Sequence, residues 1–232
     1  WARAYMASPN DGTDTLNLYD VSGLAHFELG TALRRIRRHG PLATDTGRLV
    51  SDLGRQLRTA LGTGSRDPFG LGVGYNSGVD LTPHALGLAL ESRFYDQMTH
   101  SRRYLGFGLR QLDWAVGENA WGASFVTGDG DVFPHCLHHQ VANLAGSLNG
   151  RGRILQGAVV DGPNAQDAFT GIGLMPGMRS CSYSGRTNYA QFDGHGVRFV
   201  DNVADWPSTE PADDYTAPTV LLFAELSRGR VP

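Results

Sequence analysis

The sequence predicts an all-α fold of paired helices carrying elaborate loops, the arrangement that an α-helical toroid or barrel presents at one rim. Three observations point there. Apolar residues recur at helical spacing through the first half of the 232-residue chain. That period is lost between Glu118 and Pro211, and the chain's glycines crowd into Gly117–Gly196. The helical period returns from Ala217 to Leu226.

The first helix is expected over Asn17–His39, where Leu18, Val21, Ala25, Leu29, Ala32, Leu33 and Ile36 share a face and Gly40-Pro41 supplies the stop. A second spans Asp45–Ala60, with Leu49, Val50, Leu53, Leu57 and Leu61, and is closed by Gly62 and Gly64. Thr82-Pro83 reads as an N-cap followed by a first-turn proline. The helix it opens carries Leu86, Leu90 and Phe94. Ser101 caps a fourth helix with Leu105, Leu109, Leu112 and Val116, ending near Gly117. Leu29, Leu33, Leu53, Leu57, Leu86, Leu90, Leu112 and Val116 are expected to be buried between helices. Within the aperiodic stretch, Ser124–Thr127 and Val197–Val200 read as short strands. An aperiodic stretch of this length inside a compact domain points to functional loops.

Composition excludes several functions. A net charge of −3 leaves no electrostatic footprint for nucleic acid or an anionic membrane. No apolar run approaches the roughly 20 residues of a bilayer span. All 20 basic residues are arginine, which serves a surface as lysine does and marks no function. The chain begins at Trp1 without a methionine or a signal-like segment, so it reads as an internal piece of something longer. Cys136 and Cys181 suit either a disulfide or two buried thiols.

Three segments carry chemistry-bearing residues. Asp201, Asp205, Trp206, Glu210, Asp213, Asp214 and Tyr215 form an acidic cluster with two aromatic faces of the kind on which sugars stack. Crowded carboxylates raise one another's pKa, which keeps an acid protonated near neutrality. Pro211 biases Glu210 toward an extended backbone that aims its side chain outward. The same residues also read as a solvated loop, with Asp213 or Asp214 favouring a helix N-terminus. The run His135-Cys136-Leu137-His138-His139 could bind metal, contact a ligand or be structural, and its spacing matches no zinc motif. Gly157–Asp167 contains a Gly162-Pro163-Asn164 turn and could hold a structural calcium.

Taken in order, these segments resemble family 9 of the glycoside hydrolases, the cellulase-like enzymes. Leu16–Ala25 is similar to a helical segment midway through the family's catalytic domain. Gly74-Tyr75-Asn76-Ser77 is similar to its glycine–tryptophan–glycine–serine–asparagine stretch. Gln111–Asn119 and Ser124–Gly130 resemble the lead-in to the family's histidine loop, and His138-His139-Gln140 stands where it has His-His-Arg. Gly157–Asp167 resembles a loop that often reads Val-Gly-Gly-Pro-Asn. Asp205–Ala217 resembles Asp-Tyr-x-x-Asn-Glu-Val-Ala-x-Asp-Tyr-Asn-Ala.

The resemblance implies an (α/α)6 barrel, of which residues 1–232 form the C-terminal portion of a single catalytic domain. It implies inverting hydrolysis of β-1,4-glucosidic bonds in cellulose or related β-glucans. Glu210 aligns with the proton donor. His138, His139, Gln140, Tyr215, Trp206 and Tyr75 align with or flank the sugar-contacting positions, and Asp201, Asp205 and Asp214 support the acid. The family's base lies in an Asp-x-Gly-Asp motif, which this sequence lacks; it is expected on a companion N-terminal segment docked along an apolar face. Cofactors are not required, a secreted or extracytoplasmic location follows from the substrate class, and the expected partners are a β-glucan and that companion. Two departures, Gln140 for arginine and Thr209 for asparagine, leave a catalytically impaired carbohydrate-binding relic as the rival. A structural all-α domain with a calcium-binding loop is a second rival.

Overall fold

The structure, a computed structural model, describes residues 1–8, 16–17, 20–36, 40–74, 80–145, 155–181, 183 and 189–227. Its helices are α1 (Ala2–Tyr5), α2 (Ser22–Arg35), α3 (Thr46–Gly64), α4 (Leu81–Thr99), α5 (Leu105–Ala115), α6 (Gln140–Ala145), α7 (Trp206–Thr209) and α8 (Asp213–Ser227). The only named strands among the described residues are β1 (Asn164–Ala165) and β2 (Val197–Arg198), an antiparallel pair.

Helix α4 is the hub, and it packs against α2, α3, α5 and α8. Its apolar residues do not form one stripe; Leu81, Leu86, Leu88, Leu90 and Phe94 are all buried, as a helix enclosed by others requires. Leu49, Leu53 and Leu57 of α3 join them, and Phe27 of α2 stacks on Phe94 at 4.3 Å. Burial of each such side chain is worth about 1.5–3 kcal/mol before entropy is counted. Helix α5 comes so close to α4 that a Cβ at Gly108 would lie 1.8 Å from Ser92 Oγ. Only glycine allows that approach.

Several expectations need correction. The helix beginning at Thr82 begins at Leu81, and the capping position is Asp80, held at φ 52°. Ser101 makes no side-chain cap; it precedes a 3-10 turn, Arg102–Tyr104, which feeds α5. The helix expected from Asn17 starts at Ser22. Leu53, Leu57, Leu86 and Leu90 are buried, but Leu29, Leu33, Leu112 and Val116 are only partly so. On α2 the buried positions are Gly23 and Gly30, whose small size lets the helix sit close to α4, and His26, whose Nδ1 lies 3.1 Å from the Asp52 carboxyl of α3. The last helix starts at Asp213 rather than Ala217, with Asp213 and Asp214 in its first turn and Pro218 inside it. Ser124–Thr127 forms no strand but a single bridge, Val126 to Val159, and Val197–Val200 shortens to β2.

The second half lies over the helix ends as a layer of loops pinned by aromatic side chains. Trp114 of α5 meets Phe125 at 5.5 Å, Phe125 meets Phe199 at 5.1 Å, and Phe199 meets Tyr189 at 4.7 Å. Cys136 and Cys181 are disulfide-bonded, which settles the two alternatives left open by their spacing.

Candidate active site

Glu210 ends α7, at φ −72° and ψ 119°, the extended geometry that Pro211 imposes. Two other chain segments converge on its backbone. The His138 amide donates to the Thr209 carbonyl (2.9 Å), and the Asp161 amide donates to the Glu210 carbonyl (3.3 Å). Val160 bridges Pro211 in antiparallel fashion. Hydrogen bonds on both sides therefore fix where the Glu210 side chain starts. The side chain itself is half-buried, which shelters the carboxyl yet leaves it reachable.

Burial is the leading cause that raises the Glu210 pKa; Asp80 and Asp214 raise it further, while His138 and His139 oppose them. The outcome expected from sequence is present, but its cause differs. The carboxylates near Glu210 are Asp80 and Asp214, not the whole acidic run.

Asp201 turns away to accept hydrogen bonds from the amides of His135 (3.0 Å) and Cys136 (2.8 Å), bracing the histidine loop. Its pKa is raised to about 6 by burial, partly offset by those two amides. Asp205 is buried beside Arg198 and His138; burial raises its pKa, and Arg198 and then His138 oppose the rise. Its carbonyl accepts from the Thr209 hydroxyl (3.1 Å), so Thr209, in the family's asparagine position, closes the turn that carries Glu210.

The raised pKa of Asp201 makes a stability prediction. Below the unfolded value near 3.8, the carboxyl is protonated in both states and folding carries no penalty. As pH rises through about 6 the folded state loses up to about 3 kcal/mol relative to the unfolded. Urea midpoints of Asp201→Asn should therefore gain on the parent between pH 4 and pH 7. A constant difference between the two proteins across that range would disprove it.

His138 is buried, and its Nδ1 lies 2.6 Å from the Val203 carbonyl. That contact places a proton on Nδ1 and leaves Nε2 for another partner. His139 Nδ1 accepts from the Ala142 amide (3.2 Å), which fixes the opposite tautomer. Both histidines act electrostatically on Glu210. Gln140 is exposed at the start of α6. Trp206 is 42% exposed, as an aromatic face available to a ligand must be. Tyr215 is buried, and its hydroxyl hydrogen-bonds the Asp161 carboxyl. Tyr75, with Asn76 and Ser77, lies outside the described residues.

Asp80 and Asp161 went unnoticed in the sequence. The signal for Asp161 was present: it stands where the Val-Gly-Gly-Pro-Asn loop of the family carries its first glycine. In the Gly157–Asp167 loop, Asn164 Nδ2 donates to the Pro207 carbonyl and Oδ1 accepts from the Ala165 amide, so the asparagine is occupied in holding the fold. Among the described residues no group of three or more His, Cys, Asp or Glu is placed to hold a metal ion. No described helix is long and apolar enough to cross a membrane.

The sequence profile of Glycosyl hydrolase family 9 matches residues 58–223. Endoglucanase 7 of Oryza sativa subsp. japonica is 25% identical over 137 residues, 51% of this chain and 20% of that protein. A metagenome-derived family 9 endoglucanase superposes with a TM-score of 0.68 at 22% identity, over 97% of this chain and 36% of that one. The cellulase Cel9M of C. cellulolyticum in complex with cellobiose gives 0.62 at 19% identity, over 95% and 43%. The chain thus spans less than half the length of each of these relatives, and its helices and loops form part of an (α/α)6 barrel.

Proposed function

This chain belongs to glycosyl hydrolase family 9, and we propose that it carries the general-acid half of an inverting β-1,4-glucanase. The observation that supports this most is the setting of Glu210. It is an acid with a raised pKa, half-buried at the end of a short helix, with two histidines beside it and Trp206 four residues away. Glu210 donates its proton to the departing glycosidic oxygen. His138, braced through Nδ1, positions sugar next to the cleavage point, with His139, Gln140 and Tyr75 contributing around it. Trp206 offers a stacking face.

The general base belongs to a segment outside this chain. It activates a water on the opposite face of the ring, about 6.5–9.5 Å from the acid. That companion docks on apolar surface such as Val220 and Phe223 of α8, which are exposed here. A β-glucan oligosaccharide as ligand is in keeping with the cellobiose held by Cel9M. The disulfide favours an extracytoplasmic location.

The direct test is stereochemical. This chain, co-expressed with the companion segment, is given a β-glucan oligosaccharide and watched by proton NMR. The first new reducing ends should be α-anomers. Initial β-anomers would replace inversion with retention. Absence of hydrolysis with tight glycan binding would favour the binding relic, the reading to which exposed Gln140 in the arginine position lends weight. Calcium-dependent folding without glycan binding would favour the structural domain.

A further inference from the structure

Behind Glu210 lies a pair of acids that the reaction as described does not use. Asp80 is 2% exposed and Asp161 is 1% exposed. They are 81 residues apart in sequence, yet their carboxyl groups are in hydrogen-bond contact. No donor reaches Oδ2 of either one among the described residues. Two ionised carboxylates would each present only acceptors to the other, so the contact requires a proton between them.

The backbone holds the pair in register with Glu210. The Thr82 amide at the start of α4 donates to the Asp161 carbonyl (3.1 Å), and the Asp161 amide donates to the Glu210 carbonyl (3.3 Å). Gly162, at φ 75°, lets the two segments close up, because a Cβ there would lie 2.1 Å from Thr82 Oγ1. The Tyr215 hydroxyl, from the first turns of α8, hydrogen-bonds the Asp161 carboxyl.

We infer that Asp80 and Asp161 are positioning residues that hold one proton between them and so place a single fixed negative charge behind Glu210. The inference rests on the reading of Glu210 as the general acid. One charge is the useful number. Two would be prohibitive in a dry interior, and none would leave only burial and Asp214 to hold the proton on Glu210. Burial, contact with Asp80 and the nearness of Glu210 all push the Asp161 pKa well above the carboxylate range, and only the Tyr215 hydroxyl opposes them. The other charged groups facing Glu210 are Asp214 from α8 and His138 and His139 from the histidine loop. His84 turns its Nδ1 to the Asp80 carbonyl.

Asparagine substitutions test this, because an amide replaces the shared proton with N–H donors. Asp80→Asn and Asp161→Asn each leave one carboxylate hydrogen-bonded to one amide, so the charge remains −1. Asparagine also tolerates the left-handed backbone at position 80. The double variant has no charge. In the complete catalytic domain each single variant should therefore keep the alkaline limb of the kcat/KM profile in place. The double variant should move it to lower pH by roughly half a unit to one unit, because Glu210 then loses its proton more readily. Infrared difference spectra at pH 7 read the pair without relying on activity. Beside the bands of Glu210 and the buried Glu91, the unaltered domain should show a further protonated-carboxyl band that either single substitution removes. A limb displaced as far by each single variant as by the double, an unmoved limb in the double, or a spectrum in which the single substitutions remove no band would overturn the inference. If Glu210→Gln keeps full activity, the reading of Glu210 fails, and the infrared band still decides whether the proton is shared.

Discussion

Glu210→Gln is expected to abolish hydrolysis of natural β-glucans by the complete catalytic domain while leaving glycan binding nearly intact. Glutamine keeps the shape and hydrogen-bonding reach of the side chain but carries no titratable proton. General acid catalysis is worth about 10²–10⁴-fold, and more when the leaving group is as poor as a sugar alkoxide. An aryl glycoside with an acidic phenol departs with little help, so its rate should fall far less. That contrast separates chemistry from folding, since a misfolded site would lose both substrates alike. The backbone favours a clean experiment: the three hydrogen bonds that hold the Glu210 turn, from His138, Asp161 and Thr209, all end on carbonyl groups that the substitution leaves unchanged. Parent-like rates on the natural glycan would remove Glu210 from the mechanism and turn attention to Asp205 or Asp214.

Glu210 was readable in the sequence as the candidate acid because its signal is local. Pro211 sets the backbone of the residue before it, and the surrounding residues form a contiguous motif. The reason for its raised pKa was not readable, because Asp80 reaches the site only through the fold. Asp80 caps α4, follows a stretch without helical period, and meets Asp161 from a distant loop. Periodicity failed in a similar way on α2. It ranks positions by size, so it picked Leu29 and Leu33, whereas the closest contacts run through Gly23 beside Glu91 and Gly30 beside Met98. Asp201 shows the opposite error. Its place in the acidic run suggested a role beside Glu210, but a carboxylate can equally bind backbone amides, and here it braces His135 and Cys136.

The same brace bears on the second large effect, removal of the disulfide. Cys136→Ser with Cys181→Ser is expected to destabilise the folded state by up to about 4 kcal/mol, from the entropy restored to the unfolded chain. The bridge spans 45 residues, which sets that figure. Thermal unfolding should fall by roughly 8–15 °C. Both sulfurs are buried with Val203, and Val203 supplies the carbonyl that receives His138 Nδ1. Cys136 itself lies two residues before His138. Loosening the bridge should therefore raise KM several-fold through the histidine. Dithiothreitol acting on the unaltered protein should reproduce both changes and leave the serine variant as it is. An unchanged denaturation midpoint would show that the Asp201 brace and the aromatic pillars of Trp114, Phe125 and Phe199 already hold the loop layer without the covalent bond.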